Sequence, residues 1–409
     1  MNRYPVAICV ILWSSGLFAL ACGPGLIDDS AVVDTTGSFD RNQDSIGRLD
    51  ASVEVDTDSS VPLCPGEIVR KCPDETGTFA TPNLLVVSAD WLAYPARFTH
   101  AARDVITGMF DIDGSAVPFV IQVKFVDLWS SSDFNHLANV MTLPVPESRD
   151  SEWIGVGYSP QGTFGTTTRQ VAVFREANRY RIIDIPSDSD GAVLTGSNWP
   201  ELETDLVLTG ATYLAAKTTA RHSSVHRLCL HGDALICFDG NEWVTEIDAE
   251  QVSAPIVSMA ISQPNGAILI HALSENGDIF THYNDQWITG NVNIDTTLTS
   301  ASVNQEREIL FAAGDGFIGR GDPRYAMLSC ELDLDVLDFH FYQDNAEFIL
   351  MSQRGDLFSG QFNFYTAPVV CGPLHHVDDA IDLFPVGPNL YVIAEDALYG
   401  TLDRAVNVE

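Results

Sequence analysis

Lysine is nearly missing from this chain. Its 21 basic residues include only Lys71, Lys124 and Lys217 as lysines, they face 56 acids, and the formal net charge is −35. Nucleic-acid affinity rests largely on Lys and Arg neutralising phosphates. The composition therefore excludes a nucleic-acid partner and direct adhesion to an anionic membrane surface. It suits cationic ligands, basic partners or a salty medium. Long apolar runs are also lacking after residue 20, and no stretch sustains helical spacing, so a helical solenoid is excluded. Enzyme signatures are missing as well. Gly157-Tyr-Ser-Pro-Gln-Gly162 has one residue too many for a nucleophile elbow, and neither His-Glu-x-x-His nor a phosphate loop ending in Lys occurs. Carboxylates are so abundant that no acid/base couple stands out, so no catalytic residue is assigned and no cofactor is expected. The cysteines are scattered without a Cys-x-x-Cys pair, which argues against zinc. Hydrophobic residues make up 45% of 409, enough for a large core.

The apolar run that does exist is at the start. Arg3 precedes an almost wholly apolar stretch at 6–20, which is the charged region and apolar region of an export signal. It is short for a membrane span of about 20 residues. Ala19-Leu20-Ala21-Cys22 follows and resembles the lipobox of bacterial lipoproteins. That resemblance implies a signal peptide at 1–21, lipid attachment at Cys22 and, with Gly23 next, sorting to the outer membrane, periplasmic or surface-facing. The lipid would be the only membrane contact. Residues 22–60 carry nine acids from Asp28 to Asp58 and no apolar period, which predicts a disordered tether. Asp40, Asn42 and Asp44 alternate like the start of a calcium loop, but Ser45 stands where the turn glycine belongs and Ala51 where the closing Glu belongs. Calcium is at most a minor expectation.

Six cysteines remain after Cys9 and Cys22, an even number that suggests disulfides in an exported chain. Cys229 and Cys237 flank His231-Gly-Asp-Ala234, a hairpin turn, and are expected to face each other across it. Cys64 and Cys72 lie close together in a Pro-containing lead-in loop at 61–82 and are expected to pair locally. Cys330 and Cys371 occupy equivalent points of neighbouring repeats, so their Cα atoms need not come within the roughly 7 Å that a bridge allows.

The repeat occupies 83–409. Apolar strands are followed by turns at Glu275-Asn-Gly-Asp278, Gly314-Asp-Gly316, Arg354-Gly-Asp356 and Glu395-Asp396, and then by Ile279, Phe317, Leu357 and Leu398. One unit earlier Gly232-Asp233 precedes Leu235-Ile236. Each unit reads as four short strands; the clearest has them at 256–262, 267–273, 279–283 and 286–292. A period of about 40 residues built of short strands predicts an all-β fold, a β-propeller of about seven four-stranded blades. Looser units precede it at 83–146, 150–199 and 205–248, and within the first of them 101–106 also fits a helical turn. The last unit is short of one strand, and an early strand at 84–87 is expected to complete it.

Two units, Ala234-Leu-Ile-Cys-Phe-Asp-Gly-Asn-Glu-Trp243 and Gly277-Asp-Ile-Phe-Thr-His-Tyr-Asn-Asp-Gln-Trp287, resemble the Gly-x-Ile/Leu…Asp-Gly-x-x-Trp blades of bacterial lipoprotein propellers. The resemblance implies a fold and no activity.

In a propeller the turns after the second strands share a face with the connections between blades. Asp233, Asp278, Asp315, Asp356 and Asp396 are therefore expected on one acidic face, although Asp-Gly is also good turn chemistry. The tripeptide Arg354-Gly-Asp356, an integrin-recognition spelling, sits in the same turn as Asn276-Gly-Asp278, which accounts for it. His375-His376 with Asp378-Asp379 offers ligand types that a divalent metal uses, but adjacent side chains on a strand point opposite ways, so no metal is expected there. The expected function is that of a lipid-anchored, monomeric binding protein of the cell envelope. It would engage a protein or glycan through one propeller face. The alternatives are a polysaccharide-acting hydrolase or lyase with carboxylates in the central funnel, and a periplasmic envelope-assembly scaffold.

Overall fold

The computed structural model describes residues 8–10, 21–23, 69–70, 84–88, 92, 94–102, 105–123, 138–144, 146, 148, 150–159, 169–185, 199–217, 224–262, 268–283, 286–291, 296–304, 309–322, 326–341, 347–361, 369–386 and 389–401. Around Cys22, where lipid attachment was expected, only a short ladder is described, in which β1 (Ile8–Val10) pairs with β2 (Ala21–Gly23). The tether after Gly23, Cys64 and Cys72 lie outside the described residues. Within the lead-in expected to be a loop, β3 (Val69–Arg70) is a strand. β4 (Leu84–Ser88) follows it.

From β5 on, every described element is a strand. β5 (Ala96–Ala102), β6 (Val105–Ile112), β7 (Ser115–Val123) and β8 (Ala138–Thr142) form one antiparallel sheet, so 101–102 and 105–106, which could have formed a helical turn, are strand. β9 (Ser151–Ser159), β10 (Arg169–Glu176), β11 (Arg179–Ile185) and β12 (Leu202–Glu203) form the next. β13 (Leu208–Lys217), β14 (Ser224–Gly232), β15 (Leu235–Phe238) and β16 (Trp243–Ile247) follow, then β17 (Ile256–Ser262), β18 (Leu269–Ser274), β19 (Asp278–Tyr283) and β20 (Gln286–Asn291). The last four strands fall within two residues of the boundaries read from the sequence, because Gly, Asn and Pro punctuate them.

The following two repeats merge. β21 (Leu298–Asn304), β22 (Ile309–Asp322), β23 (Ala326–Phe341), β24 (Glu347–Ser352), β25 (Asp356–Gln361) and β26 (Val369–His376) form one sheet with β3, which adds in parallel to β26. The repeat predicted about seven separate units; the described residues form six blade sheets, five of four strands and this one of seven. The physical reason is β23. It pairs with β22 through residue 335 and with β24 from residue 336, with no break between the two ladders. Finally β27 (Ala380–Val386), β28 (Asn389–Ala394) and β29 (Ala397–Thr401) are completed by β4, which runs antiparallel to β29 from Ser88 opposite Ala397 to Leu84 opposite Thr401. The early strand thus closes the ring as expected.

Inner strands β5, β9, β13, β17, β21, β23 and β27 each lie against the next, and β27 lies against β5. The chain is a β-propeller. Burial follows from this arrangement. All six residues of β18 are buried, because neighbouring sheets cover both of its faces, whereas the outermost β20 is mostly exposed. Between sheets the contacts are apolar. Phe98, Phe119 and Ile106 meet Phe384, Tyr391 and Ile393 where β4 closes the ring, and Leu208, Leu228 and Leu230 meet Val171, Val173 and Tyr180.

Polar links cross the same gaps. The Tyr180 hydroxyl donates to Leu206 O at 2.9 Å and accepts from Leu208 N at 2.9 Å, tying the second sheet to the third. Trp243 Nε1 donates to Pro200 O at 2.9 Å, and Trp287 Nε1 donates to Glu246 Oε2 at 3.2 Å. The Trp of the sequence pattern is thus the residue by which an outer strand holds the preceding unit. Cys229 and Cys237 are bonded, directly opposite across β14 and β15 with Cα atoms 4.1 Å apart. Cys330 and Cys371 are also in disulfide form.

Candidate functional site

Asp233 and Asp396 stand between the second and third strands of their units, and Asp278 and Asp356 open third strands; Asp315, expected in such a turn, lies inside the continuous β22. Most have partners that fix the turn. Asp233 Oδ2 accepts Val207 N at 3.0 Å, and the Asp233 N–H donates to Val207 O. Asp278 accepts from Asn291 Nδ2 at 2.6 Å and from the Ser253 hydroxyl. Asp315 Oδ1 accepts from Gln353 Nε2 at 2.6 Å. Asp356 Oδ1 lies 2.9 Å from His376 Nδ1, and His376 Nε2 lies 3.0 Å from Asp378 Oδ1. Asp396 lends its charge to Tyr399, whose hydroxyl is pushed up first by burial and then by that charge. These carboxylates therefore order turns and the connections beside them. The same holds for Arg354-Gly-Asp356 and Asn276-Gly-Asp278, which make the same bond: Gly355 N to Ser352 O at 2.9 Å and Gly277 N to Ser274 O at 3.1 Å.

His376 is half-exposed and its pKa is raised, first by the hydrogen bond with Asp356 and then by that with Asp378. His375 has a buried Nε2 without a partner among the described residues, so the two histidines part company as adjacent strand residues should. Among the described residues no three His, Cys, Asp or Glu side chains are grouped to hold a metal ion.

One concavity interrupts this face. A cleft of about 510 Å³ lies between the turn of β22 and that of β24–β25. Leu332, Phe358 and Pro373 give it apolar walls, and Asp333, Asp335, Asp356 and Arg354 give it charge. Arg354 is exposed, and its backbone N is held by Ser352 Oγ at 3.3 Å. The sequence put Asp315 and Asp356 on one face, with Asp333 and Asp335 joining them from a loop between units. The structure keeps Asp333 and Asp335 beside Arg354 and Asp356, but holds them in the continuous strand β23 and not in a loop.

A second constellation was not read from the sequence. On the inner strands, Asp338 Oδ1 accepts from Ser300 Oγ and from Phe339 N, each at 2.7 Å, while Oδ2 lies 3.1 Å from His340 Nε2 and 3.3 Å from Leu383 N. Asp382 Oδ1 accepts Leu383 N at 2.8 Å, and its carboxyl also takes the backbone N–H of Ala101. Burial pushes Asp382 up to about 8, and the Asp338 charge adds to it. Burial acts on Asp338 the same way, but the imidazolium of His340 and the hydrogen bonds outweigh it and hold this carboxyl below its ordinary value. Burial likewise disfavours the charge on His340, and the attraction of Asp338 overcomes it, raising the imidazole. The surroundings thus favour the charged forms of Asp338 and His340 and the protonated form of Asp382. Asp335-Val-Leu-Asp338 and Asp379-Ala-Ile-Asp382 recur one unit apart. That was the available signal.

No protein-family model matches the chain, and no curated protein matches it in sequence. Its fold is similar to that of a chain in the crystal structure of a mitotic checkpoint complex. The TM-score is 0.54 at 11% identity, over 81% of this chain and 95% of that one. It is also similar to virginiamycin B lyase from Staphylococcus aureus, with a TM-score of 0.50 at 9% identity, over 78% of this chain and 99% of that one. At such identities the likeness is one of fold alone.

Proposed function

We propose that this chain is an exported, lipid-anchored propeller of the cell envelope that works by binding, engaging a protein or glycan through the face that carries the turns. The observation that carries the reading is the cleft beside Arg354. Apolar walls with a few charged groups at the rim are the usual make-up of a binding site, and elsewhere on this face the turn carboxylates are largely occupied by their own turns. Export is supported by the charged and apolar start, by Ala19-Leu-Ala-Cys22 and by cysteines in disulfide form, which persist in oxidising compartments. In this reading the seven-stranded sheet serves as two blades joined through β23, which makes seven units in the ring, with the cleft at their junction.

The test is capture of envelope proteins and glycans by the full-length purified chain, followed by titration of what is captured. Arg354→Glu and Asp335→Asn are expected to weaken that binding at least tenfold while leaving the thermal midpoint unchanged. Binding that ignores both substitutions, or that maps to the opposite face, would overturn the reading. Protease treatment of intact cells, with a periplasmic protein as control, then reports whether the tether at 23–60 is outside.

A further inference from the structure

The closing sheet, β27–β28–β29–β4, is built from both ends of the propeller and has no covalent continuity across β29 and β4. Its two flanks carry carboxylates on the inner strands. On one side Asp338 of β23 takes the N–H of Leu383 in β27; on the other Asp382 of β27 takes the N–H of Ala101 in β5. Both stand at the same place in their strands, directly after the irregularity that shifts the inner ladder, between Val336 and Asp338 and between Ala380 and Asp382. At the equivalent positions two and three units away stand hydroxyls: Ser258 Oγ accepts Ala301 N at 3.1 Å, and Ser300 donates to Asp338. Elsewhere in the ring His231 reaches Ile256 O at 3.0 Å, and burial keeps that imidazole neutral. Carboxylates thus hold both flanks of the sheet that closes the ring, with Ser300 bonded to one of them, while a hydroxyl and a neutral imidazole hold the junctions at Ala301 and Ile256.

We infer that Asp338, His340 and Asp382 form a proton-controlled latch that keeps the closing sheet in the ring in neutral and mildly acidic media and loosens it in alkali.

The charges give the sign. With Asp338 ionised, His340 protonated and Asp382 protonated, the cluster is neutral overall. With His340 and Asp382 both deprotonated, it carries two negative charges on neighbouring inner strands, and like charges in a poorly hydrated place repel strongly. A group with a raised folded-state pKa contributes stability at low pH and loses it as pH climbs through that value. For Asp382 that loss is complete only above about 8. His340, also raised, adds a loss in the same direction, and Asp338, which is lowered, loses its contribution only in acid. Among the described residues, no other group facing the latch reverses this. β21 brings Ser300 and no titratable group. β5 brings exposed Arg97 and His100, the latter lowered by burial to about 4 and so neutral throughout. β28 brings Tyr391, and β24 brings Glu347 at its far end, opposite Gln361.

Hydrogen exchange of the full chain, followed by mass spectrometry between pH 6.5 and 9 and corrected for intrinsic rates, tests this directly. Protection of β27, β29 and β4 is expected to fall at least tenfold over that range, while β14, β15, β18 and β19 hold theirs. Asp382→Asn keeps an oxygen for the Ala101 and Leu383 N–H groups but cannot ionise, and it is expected to remove most of the fall. An equal loss over all sheets, no loss, or an undiminished loss in a folded Asp382→Asn variant would each overturn the latch. The wild-type series alone decides where the loss occurs if that variant does not fold.

Discussion

Removing one oxygen from Tyr180 should cost this propeller measurable stability without disturbing its packing. The Tyr180 ring is fully buried between the second and third sheets, and its hydroxyl is the acceptor of the buried Leu208 N–H and a donor to Leu206 O, both at 2.9 Å. Tyr180→Phe retains the ring. Leu206 is part-exposed, so water can replace the lost donor there, but Leu208 has no such access. An unpaired buried donor costs about 1–3 kcal/mol, so about 2 kcal/mol is expected. Unfolding entropy of about 2.1 cal/mol/K per residue over some 330 residues then converts this to a fall in Tm of about 3 °C. Urea unfolding of wild type and variant, at one pH and with the disulfides intact, measures it as a lower midpoint at unchanged slope. Tyr180→Leu should cost more, because it loses both the hydroxyl and part of the packing volume. A Tyr180→Phe change below about 0.5 kcal/mol would refute the argument that the hydroxyl ties the two sheets together.

Other outcomes follow from the same contacts. Gly355 sits at φ 82°, and a Cβ there would lie 1.9 Å from Val377 O, so Gly355→Ala should destabilise by more than the roughly 1 kcal/mol of a merely left-handed site; Gly114→Ala, at φ 78° in open space, is the control that should cost less in the same urea assay. Cys330 packs in one cluster with Phe358 and Val370, the latter adjacent to Cys371, and both cysteines are oxidised. Non-reducing peptide mapping is therefore expected to recover a single 330–371 cross-linked peptide, and links of either to Cys64 or Cys72 would count against that pairing.

Local chemistry made much of the fold legible. The unit at β17–β20 was readable because each strand is short, bounded by turn residues and covered on both faces, so a run of apolar residues and an Asn-Gly-Asp turn suffice to mark it. The Cys229–Cys237 bond was readable because a two-stranded hairpin sets opposite residues by symmetry about its turn. The same local logic misled at β22 and β23, where Gly314 and Asp335 looked like ends of strands. Ladder bonding continues through both, since a strand that has left one partner finds the next at once. The latch was the least legible. Asp338, His340 and Asp382 looked like three more polar residues in a chain with 56 acids.

What the sequence determined alone was periodicity: the repeat length, the four-stranded make-up of most units, most of the turn aspartates, and the strand at 84–87 that the last unit lacks. These depend on alternation and turn chemistry, which act over a few residues. Only the tertiary structure decided which carboxylates order turns and which line a cleft, that β23 serves two ladders, and that burial raises Asp382 while the charge of His340 and hydrogen bonds lower Asp338. Those properties depend on burial and on charges from other strands, and it is closure of the ring that brings β5, β23 and β27 together.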